Sequence, residues 1–151
     1  MRITAKVDYA VRAMAELAAA PDGLVTADAL AERQAIPPKF LESILADLRR
    51  SGLVRSQRGA EGGYRLARPA GSVTVADVIR AVEGPLADVH GMPPEQVAYD
   101  GAASHLRDVW IATRASLRGV LEQVTMADVV EGTLPGLARR LLDDPEAWSR
   151  R

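Results

Sequence analysis

The chain has 151 residues, 48% of them hydrophobic and 26% charged, with a formal net charge of −1 and no cysteine. That length fits one domain, or a small domain with a dimerisation appendage, and the missing thiols exclude disulfides, zinc–thiolate sites, cysteine-ligated iron–sulfur clusters and cysteine nucleophiles. The N-terminal stretch has no apolar signal core, and no segment approaches the roughly 18 uninterrupted apolar residues of a membrane span, so a cytoplasmic protein with no membrane partner is expected.

Charge is unevenly spread. Residues 1–68 hold 11 Lys/Arg against 8 Asp/Glu, and residues 69–151 hold 8 against 12. Within residues 33–68 the balance is 8 basic to 3 acidic, the pattern of a basic face for an anionic partner.

In chain order, Ile3, Val7, Ala10, Val11, Met14, Leu17 and Ala18 recur at helical spacing, and Pro21-Asp22-Gly23 ends that helix. Thr26 reads as the N-cap of a second helix, Ala27 to about Gln34, with Leu30 and Ala31 inward. After the turn Ala35-Ile36-Pro37, Pro38 suits the first position of a third helix with the apolar stripe Leu41, Ile44, Leu45 and Leu48, stopped at Gly52. The period then changes. Leu53–Ser56 and Gly63–Leu66 read as two short strands around the glycine-rich tip Gln57–Gly62, a β-hairpin. Helix, turn, helix and hairpin in this order make a winged helix-turn-helix.

Thr74 with Asp77 predicts a capping box for a fourth helix bearing Val75, Val78, Ile79 and Val82 inward and ending at Gly84-Pro85. Residues 87–101 form a long Gly-, Pro- and Asp-rich loop, uncommon unless functional or disordered. A helix from about Ala102 to Gln123 carries Leu106, Trp110, Thr113, Leu117, Val120 or Leu121, and Val124 at spacings of three and four, a narrow stripe suited to a seam between two chains. Thr125 and Asp128 then cap a short helix, Met126 to Glu131.

Several short motifs follow this frame: Lys6-Val7-Asp8-Tyr9-Ala10, Leu30-Ala31-Glu32-Arg33, Phe40-Leu41-Glu42, Leu48 through Val54, Arg58-Gly59 through Gly62-Gly63-Tyr64-Arg65-Leu66, Thr74 through Ile79, and Val124 through Val129. In this order and spacing they resemble the bacterial winged-helix transcription regulators of the IscR/NsrR/CymR-type (Rrf-two) family, over about the first 130 residues. The resemblance implies a mainly α fold with a small β-hairpin wing: a DNA-binding domain over residues 1–84, a loop at the family's sensor position over 85–101, dimerisation helices over 102–131 and a C-terminal tail over 132–151. It also implies a homodimer on a pseudo-palindromic double-stranded operator, usually repressing. The third helix would enter the major groove with Glu42 as specificity residue, and Arg58 of the wing would enter the minor groove. Ala60-Glu61 departs from the Pro-Gly often found at the wing tip and places an acid there.

The chemistry of the residues fits these roles. A carboxylate accepts from cytosine N4, an arginine on a hairpin tip reaches a narrow minor groove, and cations neutralise phosphates. The candidate DNA-binding set is Lys39, Phe40, Glu42, Ser43, Arg49, Arg50, Arg55, Arg58, Gly59 and Arg65; Leu106, Trp110, Leu117, Leu121 and Val124 are the candidate dimerisation set. Plainer readings stand beside these. Arg49 and Arg50 also offset a helix dipole, Glu42 could pair with a neighbouring cation, and the hairpin glycines answer to backbone geometry without the strand-to-helix context of a phosphate loop.

Many family members hold an iron–sulfur cluster on three cysteines in the loop before the dimerisation helix; this loop has none. His90 and His105 flank it, fifteen residues apart, a poor ligand signature, so no cofactor and no metal is expected. The signal could instead be a small ligand held between the winged domain and the long helix near Trp110, Tyr99 and Tyr9, or a partner protein, or the protein could work with no effector at all. A winged helix used only for protein–protein contact is the competing reading. No nucleophile–base pair or phosphate loop supports an enzyme.

Overall fold

The computed structural model describes residues 2–150. Its helices are α1 (Ala5–Ala18), α2 (Ala27–Gln34), α3 (Pro38–Arg50), α4 (Val75–Glu83), α5 (Leu106–Leu121), α6 (Met126–Glu131) and α7 (Gly136–Leu142). Strands β1 (Val54–Gln57) and β2 (Gly63–Leu66) form the wing between α3 and α4.

Local chemistry sets the boundaries. Thr4, Thr26, Thr74 and Thr125 each accept a backbone N–H from the third residue into α1, α2, α4 and α6, and the last two are complete capping boxes with Asp77 and Asp128. Backbone and side-chain bonds from Thr125 hold the Asp128 carboxyl below its usual range. Pro38 occupies the first turn of α3, where its missing N–H costs nothing.

The core collects Val7, Ala10, Ala13, Met14 and Leu17 of α1, Leu30 of α2, the full α3 stripe, Val54 and α4's Val78 and Val82, all buried. Ile3 departs from the helical stripe expected for it: it precedes the cap and is 81% exposed. The strands pair antiparallel with Val54 opposite Leu66, Arg55 opposite Arg65, Ser56 opposite Tyr64 and Gln57 opposite Gly63. Val25 adds a third position to the wing: its N–H donates to the Tyr64 carbonyl at 2.9 Å, and the Tyr64 N–H donates back at 2.8 Å.

The two capping-box segments also join. The Val75 N–H donates to the Val124 carbonyl at 2.9 Å and the Met126 N–H to the Val73 carbonyl at 2.8 Å. This seats Met126 in the core and leaves Val124 only 7% exposed within its own chain. Val124 therefore lies outside any seam on α5, contrary to the expected stripe. The helix itself is shorter than expected. Residues 101–103 form a 3-10 turn built on Gly101 at φ 60°, His105 takes the N-cap position, and the last turn closes at Leu121.

The long loop before α5 is ordered. Val89 and Met92 exchange both backbone bonds, Pro94–Gln96 make a 3-10 turn, and Leu86, Pro94 and Val97 are buried. The tail folds into α7 and a 3-10 turn at Pro145–Trp148, with the Trp148 indole N–H donating to the Leu142 carbonyl at 2.8 Å. Among the described residues no helix is long and apolar enough to cross a membrane.

Candidate nucleic-acid interface

Helix α3 is sharply two-faced. Leu41, Ile44, Leu45 and Leu48 are at most 1% exposed, while Lys39, Glu42, Ser43, Arg49 and Arg50 stand exposed on the other side, as spacings of three, four and seven require. No acidic residue sits in its first turn, so the positive end of the helix dipole is left open to an anion.

Two contacts tie α3 to α1, each supported by a neighbouring cation. The Phe40 ring, 43% exposed, meets the Tyr9 ring edge-on at 5.6 Å between centroids, and the Arg12 guanidinium lies 4.8 Å from the Tyr9 ring centre. Lys6 of α1 pairs with Asp47 at 2.8 Å, and Arg50 reaches the other oxygen of the same carboxylate at 2.8 Å. The hydrogen bond from Lys6, helped by its charge and by Arg50, holds the Asp47 carboxyl below its ordinary value of 3.8. Asp47 thus adds stability that is complete above that value and is lost as pH falls through the lowered one. Asp47→Asn is expected to destabilise by about 1 kcal/mol near neutral pH and by nothing once the carboxyl is protonated; thermal unfolding of both proteins at the two acidities checks it.

The wing carries its own arginines. Arg58, Gly59, Ala60 and Glu61 make the exposed tip, closed by a bond from the Gly62 N–H to the Gly59 carbonyl at 3.0 Å. A Cβ on Gly62 would lie 2.2 Å from the Gln57 carbonyl oxygen, so the hairpin can turn back here only through glycine. Arg55 and Arg65 are directly opposite on one strand pair and both exposed. Like charges in that register repel. Arg49 Nη1 donates to Ser56 Oγ at 3.4 Å, tying α3 to β1, and Arg49, Arg55, Ser56 and Arg68 line a groove of about 520 Å³ between them.

The basic residues of positions 33–68 fall into two groups. Arg33, Arg50 and Arg68 are ion-paired, to Glu16, Asp47 and Asp77. Lys39, Arg49, Arg55, Arg58 and Arg65 have no carboxylate partner among the described residues. Sequence reasoning missed Lys6 and Asp47, whose pairing spans 41 positions and leaves no local signal. It also grouped Tyr9 with Tyr99 and Trp110. The Trp110 indole N–H does donate to the Tyr99 hydroxyl at 3.1 Å, but Tyr9 packs on Phe40.

The family described as Rrf2, iron-dependent transcriptional regulator, matches residues 3–132. The chain belongs to the Rrf2 family. It is 51% identical over 148 residues, 97% of this chain and 92% of the relative, to a Mycobacterium tuberculosis protein named among the HTH-type transcriptional regulators. To the Bacillus subtilis regulator CymR it is 33% identical over 88% of this chain and 92% of CymR. The solved structure of CymR, titled the global cysteine regulator of B. subtilis, superposes with a TM-score of 0.75 over 88% of this chain and 98% of that one, at 32% identity. That of T. potens IscR superposes with a TM-score of 0.69 over 100% and 93%, at 33% identity. The chain is accordingly a winged-helix, DNA-binding transcription regulator and not an enzyme.

The donor set of this Rrf2 chain does not fit the iron of the family description. It has no cysteine, His90 lies exposed in a tight turn and His105 at a helix cap, and no group of three or more His, Asp or Glu among the described residues is placed to hold a metal. Helix α5, the candidate dimerisation element, has no buried residue along its 16 positions. Val109 is 52% exposed, and Leu106 and Trp110 are half-buried. Leu117 and Leu121 turn toward an apolar cavity of about 470 Å³ shared with Val7 and Val11 of α1 and Val75 and Ile79 of α4.

Proposed function

We propose that this protein is a homodimeric, sequence-specific repressor that binds a pseudo-palindromic operator and needs no iron–sulfur cluster to do so. The observation that carries the reading is the set of five cations without carboxylate partners, Lys39, Arg49, Arg55, Arg58 and Arg65, spread over one helix face and the wing. Holding Arg55 opposite Arg65 costs stability in the free protein, and a polyanion offsets that cost. In this reading Arg58 enters the minor groove, the α3 face carrying Phe40, Glu42 and Ser43 enters the major groove, and Lys39, Arg49, Arg50, Arg55 and Arg65 hold phosphates.

The dimer follows from α5. A 16-residue helix with no fully buried position keeps apolar surface available for further packing, and Leu106, Val109 and Trp110 offer it to a second copy. Sedimentation at micromolar concentration is expected to find a dimer; a monomer would remove the two reading heads that a palindrome requires.

Fluorescence anisotropy with DNA from upstream of the protein's own gene, beside scrambled DNA, tests the whole reading. Expected is tight, sequence-preferring binding by purified protein without added iron. Its logarithm should fall with log salt by roughly 0.9 for each phosphate neutralised. Weak, equal binding to both DNAs would favour the protein-contact reading. In vitro transcription from that promoter separates repression from activation. Glu42→Ala is expected to relax base preference at one operator position by about 1–3 kcal/mol while leaving total affinity within about threefold; selection from a randomised operator library reads this directly.

A further inference from the structure

A second site lies away from the DNA face, where α4, the loop before α5 and α5 itself meet. Three arginines converge there: Arg80 in the last turn of α4, and Arg114 and Arg118 one turn apart on α5. They are three of only eight Lys/Arg in residues 69–151, a stretch with twelve Asp/Glu. The cavity they line has a volume of about 330 Å³, the low end of the range for small-molecule sites. Its remaining wall combines the apolar surface of Pro85, Pro93 and Pro94 with two carboxylates, Asp88 and Glu95.

The arginines are only partly engaged by the chain. Arg114 uses Nη1 on Glu95 at 2.7 Å. Arg118 Nε, at 3.0 Å, and Arg80 Nη2 both share the single oxygen Oε1 of Glu122. Among the described residues one nitrogen of each guanidinium is thus ion-paired, out of five N–H donors apiece. Glu122 bridges the winged domain to α5, and both Glu95 and Glu122 are held as carboxylates below their usual range, Glu95 by its own backbone and then Arg114, Glu122 by Arg80 and then Arg118. The opposite wall belongs to a tight turn that places Ala87, Asp88 and Gly91 on the cavity. Ala87 and His90 both take left-handed backbone, at φ 52° and 53°, and the Gly91 N–H donates to the Asp88 carboxylate at 2.9 Å. Residues held in such conformations tend to cluster at ligand clamps.

We propose that this cavity is an effector site for a small organic acid, its carboxylate on Arg80, Arg114 and Arg118 and its carbon skeleton against the three prolines. A bidentate arginine–carboxylate contact is the geometry guanidinium serves best. The incoming carboxylate competes with Glu95 and Glu122. Displacing Glu122 unlatches α4 from α5 and re-aims the winged domain against the dimerisation helix. This regulatory consequence rests on the DNA-binding reading above; acid binding itself does not.

The test is NMR of the arginine Nε–H groups of full-length protein, free of DNA, titrated with succinate, citrate, 2-oxoglutarate, benzoate and inorganic phosphate to millimolar concentration. The expected result is saturable, residue-specific shifts at Arg80, Arg114 and Arg118 with at least one organic acid. That acid should bind about tenfold weaker to Arg114→Gln. It should bind more tightly to Glu95→Gln, which removes the competing carboxylate, so a variant that fails to fold does not decide the matter. No saturable shift with any organic acid overturns the proposal. Phosphate binding as well as the best acid overturns it too, as does equal binding by wild type and Glu95→Gln. Operator affinity measured on the same samples tells failure of this site apart from failure of the DNA-binding reading.

Discussion

Arg58→Ala is expected to lower operator affinity about thirtyfold, close to 2 kcal/mol. The side chain stands on an exposed hairpin tip with no ion pair among the described residues, so its removal takes nothing from the fold, and the thermal midpoint should move by no more than about 2 °C. The loss comes from the minor groove, whose narrow stretches concentrate negative potential that a guanidinium reads. Lys39→Ala, which removes a phosphate contact from the first turn of α3, should weaken unrelated DNA only slightly and reduce the salt slope by about one. Equal, small losses for both variants on the operator would take the wing out of the groove. Glu61 beside Arg58 at the tip makes a second variant informative: Glu61→Gln should strengthen binding, because it removes an acid facing phosphates.

Leu48→Ala is expected to destabilise the protein by about 3 kcal/mol. Leu48 is fully buried, at the end of the α3 stripe, and its loss leaves a cavity in the cluster shared with α1 and α4. For a chain of this size that corresponds to a fall of about 10 °C in thermal midpoint. Below the midpoint the exposed face of α3 is unchanged, so operator affinity should stay within about threefold. Ile3→Ala is the matched control, since Ile3 is 81% exposed and its loss should cost well under 1 kcal/mol. If the two changes cost the same, the inner stripe of α3 does not seat the recognition helix.

Legibility in the sequence followed the range of the interaction. Bounds of α2 and α6 were readable because Thr26, Thr125 and Asp128 cap by bonds that close within three residues. The wing was readable because the period changes beside glycines. Its register was not: a tip of several residues allows more than one pairing, and only the ladder puts Arg55 opposite Arg65. The α3 stripe separated inner from outer residues, yet could not say which outer cations are ion-paired within the chain. Arg50 is tied to Asp47, whereas Arg49, its neighbour, reaches only Ser56 Oγ.

Helix periodicity, caps and the turn chemistry of the wing act between residues a few positions apart, and by themselves they determined a winged helix-turn-helix followed by a longer apolar-striped helix. Tertiary structure alone decided the pairing of Val25 with Tyr64, the Lys6–Asp47 bridge, the burial of Val124 within its own chain and the meeting of Arg80, Arg114 and Arg118. Each of these joins residues tens of positions apart. No local preference specifies such a contact; it forms only when burial of the shared core brings the segments together.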